Sequence, residues 1–402
     1  MDQILIQITG YLIIAMLIAM IARRLSLPYT VGLVLAGGGF SLAGVETGAV
    51  LTHDFIFYII LPPLLFEAAF SIHWHELKRD ALPIMVLSVA GVAVSALAVA
   101  AGMTGLLHWP VVPAIGFAVL IAATDPIAVL AMFKDAGIKG RLRLLLESES
   151  LFNDGVAAVL FGLVLVWAQT SGDSGITGFA SVSSVVRVAV GGAALGLLCG
   201  GGAIALAGRV SDALIETTLT VIAAYGSFLL AERFHVSGVM ATVAAGLVMG
   251  NLGVLRENVQ SNLLSQAARA FVISFWEFAA FLANSLIFLL IGLRVASIPF
   301  HRISLGDVAV SVILVLAARA LTVYPLCMVF RQSRWAVPLK MQHVLVWGGL
   351  RGALGLALAL ALPPSFPFRD EILAFTFVNV VFSVSVQGLT MPLLLQKLRI
   401  SR

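Results

Sequence analysis

Within an apolar run spanning 144–169 lies the octet Glu147-Ser-Glu-Ser-Leu-Phe-Asn-Asp154. On a helix, Glu147, Ser150 and Asp154 fall on one stripe, while Glu149 and Asn153 share the adjacent face at i, i+4. Carboxylate and hydroxyl oxygens are hard ligands suited to hard cations, and no sulfur ligand accompanies them. A carboxylate at mid-bilayer costs ~2.5–3.5 kcal/mol on insertion scales, so chains carry one there chiefly where it faces a polar cavity or pathway. Asp154 is therefore the leading candidate for a cation- or proton-binding group. Three further charges sit in apolar surroundings: Asp125 in Ala-Thr124-Asp125-Pro126, Arg319 in Ala-Arg-Ala-Leu-Thr, and Arg351 in Gly348-Gly-Leu-Arg351-Gly. With a rise of 1.5 Å per residue, each of the four lies roughly 12–16 Å from the inner end of its span, near a common level.

The elements that carry these residues follow from composition. Hydrophobic residues make up 60% of the 402 and charged residues 11%, against ~25% charged in soluble domains. The chain reads as an all-α polytopic membrane protein. Spans of ~20 apolar residues fall at about 3–22, 28–44, 54–71, 81–107, 112–133, 144–169, 182–207, 213–231, 236–252, 268–295, 306–330, 341–363 and 370–396, thirteen in all. The second and ninth are short and glycine-rich. The first lacks a basic start and a cleavage site, so it reads as a span rather than a signal peptide. The two cysteines, Cys199 and Cys327, lie inside apolar runs and read as packing residues.

Basic residues orient the set. With the N-terminus outside and the C-terminus cytoplasmic, the inner segments hold Arg23, Arg24, Lys78, Arg79, Lys134, Lys139, Arg141, Arg143, Arg209, Arg256, Arg269, Arg331, Arg334, Lys340, Lys397, Arg399 and Arg402, seventeen of the 24 Lys and Arg. The outer side holds Arg187, Arg233, Arg294, Arg302 and Arg369. Topology thus explains the net charge of +4 without any nucleic-acid partner.

Two spans are interrupted. Pro126 removes a backbone donor and disfavours helix at Asp125, halfway through span 5. Glycines 348, 349 and 352 interrupt span 12, which runs in the opposite direction. Broken helices at corresponding places in oppositely oriented halves point to a transporter site, with spans 1–6 and 8–13 as two inverted six-helix repeats. Half-helix ends leave polar backbone groups where water is scarce. Asp125 suits the positive N-terminal ends and Arg351 the negative C-terminal ones; for Asp125 a ligand role stands beside the structural one. Arg319 is expected to pair with a buried acid, Glu149. Glu67, near the inner end of span 3, either lines a cytoplasmic funnel or reaches the headgroups. No Walker motif, dinucleotide fingerprint or HExxH is present, so no nucleotide-driven chemistry or cofactor is expected.

Leu-Pro-Pro-Leu-Leu-Phe-Glu67, Thr124-Asp125-Pro126-Ile-Ala-Val, Glu149-Ser150-Leu-Phe-Asn153-Asp154-Gly and Gly348-Gly-Leu-Arg351-Gly-Ala together resemble the sodium/proton exchangers of the cation/proton antiporter superfamily, most closely the prokaryotic NhaP-like branch. The resemblance covers essentially the whole chain. It implies a core bundle (about 81–169 and 306–396) and a dimerisation part (about 1–71 and 182–295) in a homodimer embedded in membrane lipid, in the bacterial inner membrane. It implies that Asp154 carries the cation or proton, that Thr124 (through its carbonyl), Asp125 and Ser150 are Na+ ligands, and that Glu67 belongs to the funnel. It further implies a Glu149–Arg319 pair, and, through Asn153, electroneutral exchange. The chain stops just after span 13, so no soluble regulatory domain is expected. The implied activity is exchange of Na+ or Li+ for H+ by a transporter rather than an enzyme; K+/H+ exchange on the same fold and a cation channel remain alternatives.

Overall fold

The computed structural model describes residues 2–24, 29–43, 54–169, 178–255, 263–293 and 304–400. Of the residues used to orient the chain, Arg256, Arg294, Arg302 and Arg402 lie outside this set, as do the expected span ends at 28, 44 and 294–295. Every element among the described residues is helical. In order they are α1 (Asp2–Arg24), α2 (Tyr29–Leu42), a π-helical stretch (Phe55–Ile60) continuing into α3 (Leu61–Ser71), α4 (Trp74–Arg79), and α5 (Ala81–Met85) passing through a π segment (Val86–Ala90) into α6 (Gly91–Leu106). Then come α7 (Val111–Ala122), α8 (Ile127–Ala136), α9 (Arg141–Gln169), α10 (Gly178–Ala207), α11 (Ala213–Arg233), α12 (Gly238–Gly253), α13 (Gln266–Leu293) and α14 (Leu305–Val329). The chain finishes with α15 (Leu339–Gly348), α16 (Ala353–Leu360), and α17 (Arg369–Phe382) joined by a π segment (Ser383–Gln387) to α18 (Gly388–Lys397).

Among the described residues, nine helical stretches are long and apolar enough to cross a membrane, and four more, Thr9–Ala22, Tyr29–Leu42, Phe55–Ser71 and Gly238–Gly253, are shorter apolar helices. The protein is an all-helical polytopic membrane protein. Helix α4 lies in a segment where no element was expected from sequence. Cys199 and Cys327 are both free thiols.

The chain divides into two compact units. One comprises Met1–Ile56, Leu82–Asn153 and Asn284–Arg402; the other comprises Phe57–Ala81 and Asp154–Ala283. In the second unit, α12 is packed between α10 and α3 at backbone distance. A Cβ on Gly196 of α10 would overlap the Ala241 backbone, and one on Gly250 of α12 would overlap that of Phe70. Small residues allow close approach where burying apolar surface offers no drive, because lipid is equally apolar. The glycine content that made the ninth span hard to delimit is thus what packs it. Ser237 ends that ambiguity at one end, its hydroxyl accepting from Met240 N at 3.2 Å as an N-cap. Against this face Phe66 packs on Trp276, with ring centroids 4.5 Å apart and the planes tilted by 38°, and the indole donates to Thr220 at 2.8 Å.

In the first unit both interrupted spans meet. Backbone is non-helical over 123–126, between α7 and α8, and over 349–352, between α15 and α16. The two breaks join directly, Asp125 N donating to Leu350 O at 2.7 Å.

Candidate functional site: the crossing of the broken helices

Interrupting two helices in an apolar interior creates four half-helix ends, each with backbone groups that need partners. Charged side chains supply most of them. At the C-terminal end of α7, Arg351 Nη1 donates to the carbonyls of Ala122 and Ala123 at 3.0 and 3.1 Å. At the N-terminal end of α8, Asp125 Oδ1 accepts from Ile127 N at 3.1 Å. The N–H of Ala353, the first residue of α16, also donates to the Asp125 carboxylate. Asp125 therefore serves two N-terminal ends at once, where the helix dipole favours a negative charge.

The fourth end, the C-terminus of α15, is served by Arg319. Its Nη2 and Nε donate to Leu345 O at 3.0 and 3.3 Å, while its guanidinium makes a bidentate ion pair with Glu149, Nη2 meeting Oε2 at 2.8 Å and Nη1 meeting Oε1. Glu149 and Arg319 are 1% and 5% exposed. At that burial an unpaired charge would not be tolerated, and the fork geometry satisfies both carboxylate oxygens.

Helix α9 holds the first break from the side. The Asn153 amide is used at both ends: Oδ1 accepts from Thr124 N at 3.3 Å and Nδ2 donates to Thr124 Oγ1 at 2.7 Å. One turn earlier, the Ser150 hydroxyl donates to the Thr124 carbonyl. Glu149, Ser150 and Asn153 are all buried, whereas Asp154, the next residue along α9, is half-buried. Glu147 is also half-buried and pairs with Arg143 one turn below at 3.3 Å.

The structure thus brings together Thr124, Asp125, Glu149, Ser150, Asn153, Arg319 and Arg351. Glu67, on α3, is half-buried and belongs to the second unit. Oxygen atoms of the kind a hard cation prefers are present as carboxylate, hydroxyl and carbonyl groups. Among the described residues no group of three or more His, Cys, Asp or Glu converges in the manner of a resident metal site.

Several supporting residues escaped the sequence reading. Ser383 receives Arg351 N at 2.9 Å, Gln387 Nε2 donates to Trp347 O at 3.0 Å, and Asn379 Nδ2 donates to Ser311 Oγ at 3.0 Å. Asn379, Ser383 and Gln387 recur every four residues, so they form one polar stripe along the last span. That periodicity was the available signal. Ser88, in the π segment before α6, donates to the Glu149 carbonyl at 3.1 Å. Ser383 and Ser88 both occupy π-helical turns, which are frequent at functional sites.

Comparison with known proteins agrees with this architecture. Residues 12–397 match the family described as the transmembrane sodium/hydrogen exchanger. The Na(+)/H(+) antiporter NhaH of Halobacillus aidingensis is 35% identical, the alignment covering 98% of each chain. The Na(+)/H(+) antiporter NhaP of Pseudomonas aeruginosa is also 35% identical, over 84% of this chain and 80% of that one. In fold, the chain is similar to the sodium proton antiporter MjNhaP1 of Methanocaldococcus jannaschii, with a TM-score of 0.77, 20% identity and 97% coverage of both chains. A family match across nearly the whole length, and relatives aligned end to end, leave one conclusion: this chain belongs to the sodium/hydrogen exchanger family.

Proposed function

We propose that the chain is a secondary transporter that exchanges Na+ or Li+ for H+ across the membrane, with Asp154 as the group for which cation and proton compete. One observation carries this reading most directly. The charges of the crossing balance within it, since Asp125 and Glu149 are matched in number by Arg319 and Arg351, and each meets a half-helix end or its ion-pair partner. Asp154 is the next carboxylate along α9, directly after Asn153, whose amide holds the break through Thr124.

In this mechanism Asp154 binds either a proton or a cation. Oxygens of Thr124, Asp125 and Ser150 complete the cation's shell, and Glu67 contributes to the cytoplasmic funnel. Only the neutralised site passes between inward- and outward-facing states, because moving the bare carboxylate through hydrocarbon incurs the intramembrane cost of a charge. Carrying one proton one way and one monovalent cation the other moves no net charge. Asn153 supports that stoichiometry: an amide committed to Thr124 at both ends carries no exchangeable charge. The proposed assembly is a homodimer of thirteen-span chains in the bacterial inner membrane, with the N-terminus outside and the C-terminus cytoplasmic. Two inverted repeats build it, residues 81–169 and 306–396 forming the core, and 1–71 and 182–295 the dimerisation part.

The test is proton flux in proteoliposomes driven by gradients of Na+, Li+ or K+ in turn. Na+ and Li+ should drive flux in the wild type, and Asp154→Asn should abolish it while the purified protein remains folded. A wild-type response to K+ alone would make the protein a K+/H+ exchanger. Imposing a membrane potential should leave the rate nearly unchanged; a steep voltage dependence would refute 1:1 exchange, and single-channel currents would refute exchange altogether.

A further inference from the structure

Away from the crossing, the first unit contains a cavity of about 440 Å³ where three chain segments meet: the turn between α8 and α9, the start of α15, and the residues following α18. Lys139, Arg141 and Lys340 supply its cations, and Ile138, Leu142 and Met341 give it an apolar lining. We propose that this cavity binds the phosphate headgroup of an anionic phospholipid, with the upper acyl region against the apolar wall.

Three observations converge on an anion of this kind. Lys139 and Lys340 are exposed, and neither makes an ion pair among the described residues. Arg141 is held in place by donating to Ala336 O at 2.7 Å and Trp335 O at 2.9 Å, so the loop before α15 is tied to the start of α9 around the cavity. No acidic residue occupies the first turn of α9 or of α15, although helix dipoles favour acids there and disfavour the bases actually present. At these two helix starts, therefore, no acidic side chain of the first turn offsets the positive potential.

The apolar component selects a lipid over a soluble anion. Ile138 and Leu142 are buried in the wall, and Leu339, beside Lys340, is 60% exposed, as expected for a side chain facing acyl chains. Basic pockets between transmembrane helices on the cytoplasmic side are suited to anionic headgroups; the leaflet follows from the orientation proposed above, whereas binding itself does not depend on it. A headgroup seated here bridges the inner ends of α9, which carries Asp154, and of the half-helices α8 and α15. It thereby couples lipid composition to the helices of the exchange site.

Native mass spectrometry of the purified full-length protein with phosphatidylglycerol, phosphatidylcholine and inorganic phosphate tests this without reference to transport. The wild type should retain phosphatidylglycerol in preference to phosphatidylcholine. K139Q/K340Q should lose that retention roughly 10- to 30-fold, about a decade or less per charge removed. K139R/K340R should restore it, and the charge-matched K78Q/R233Q should leave it unchanged. Equal retention of the two lipids, an undiminished K139Q/K340Q, or loss in K78Q/R233Q as large as in K139Q/K340Q would overturn the proposal. Displacement of the lipid by inorganic phosphate at comparable concentration would overturn the choice of a lipid.

Discussion

Arg319 stands between a carboxylate and a carbonyl, and neither contact is sufficient alone. Leu345 O gives the guanidinium a hydrogen bond but no charge, while Glu149 gives it charge and a fork of matching geometry. Replacing Glu149 by Gln leaves a guanidinium buried with only neutral partners. Breaking a buried pair on one side costs ~3–5 kcal/mol. We expect Glu149→Gln to lower the thermal midpoint of the purified protein markedly and Glu149→Asp to lower it less, read by loss of the monodisperse peak on heating. A midpoint unchanged in Glu149→Gln would mean that the pair contributes nothing to the fold. Asn153 presents the opposite situation, since its amide bonds are neutral throughout. The sequence reading attached it to the electrical character of transport; its contacts with Thr124 add a part in holding the break.

Among the elements, the two interruptions are locked by contacts that leave almost no room. A Cβ on Gly352 would overlap the Asp125 carboxylate, so Gly352→Ala must displace the group that serves α8 and α16 together. Exchange should fall by an order of magnitude or more in proteoliposomes, with the protein still assembling in the membrane. Ser383→Ala is milder: it removes one hydrogen-bond partner of Arg351 N, worth ~1 kcal/mol with some further cost for the N–H left behind, and a small drop in midpoint should accompany it. Wild-type flux in Gly352→Ala would show that Asp125 can shift without consequence.

The breaks themselves were legible in the sequence because proline and paired glycines have local backbone consequences that need no tertiary information. The partnership of Glu149 with Arg319 was legible because isolated opposite charges in apolar spans have few places to go. Ser383 and Gln387 showed themselves only through their four-residue period with Asn379. Ser88 was not legible, since a lone serine in an apolar helix reads the same whether it supports a site or merely bonds its own preceding turn. Nor was the second contact of Arg319, which depends on how close α14 comes to the end of α15. Helix α4 and the π segments were missed for a related reason: they change neither the length nor the apolar character of the spans around them.

At the level of the whole molecule, the distribution of Lys and Arg makes orientation testable residue by residue. In a background with Cys199→Ala and Cys327→Ala, a cysteine at Arg233 should react with an impermeant maleimide in intact cells. One at Lys397 should react only after permeabilisation, because positive charge is retained on the cytoplasmic side. Both positions are exposed, so access to reagent rather than burial decides the outcome. Labelling of both from one side would break the thirteen-span reading between the two positions. The remainder of the architecture is of a different kind: glycine-mediated packing of backbone on backbone within each unit, and, at the crossing in the first, backbone capped by side chains.

The double engagement of Arg319 has a mechanical corollary. It fastens α14, where it originates, to α9 through Glu149 and to the end of α15 through Leu345. A polar contact parted inside hydrocarbon has no water to take its place, so the cost of parting it falls due at once. If the proposed exchange cycle involves displacement, α14, the part of α9 around Glu149 and the end of α15 are expected to move together, with sliding left to apolar faces that have no such contact to break.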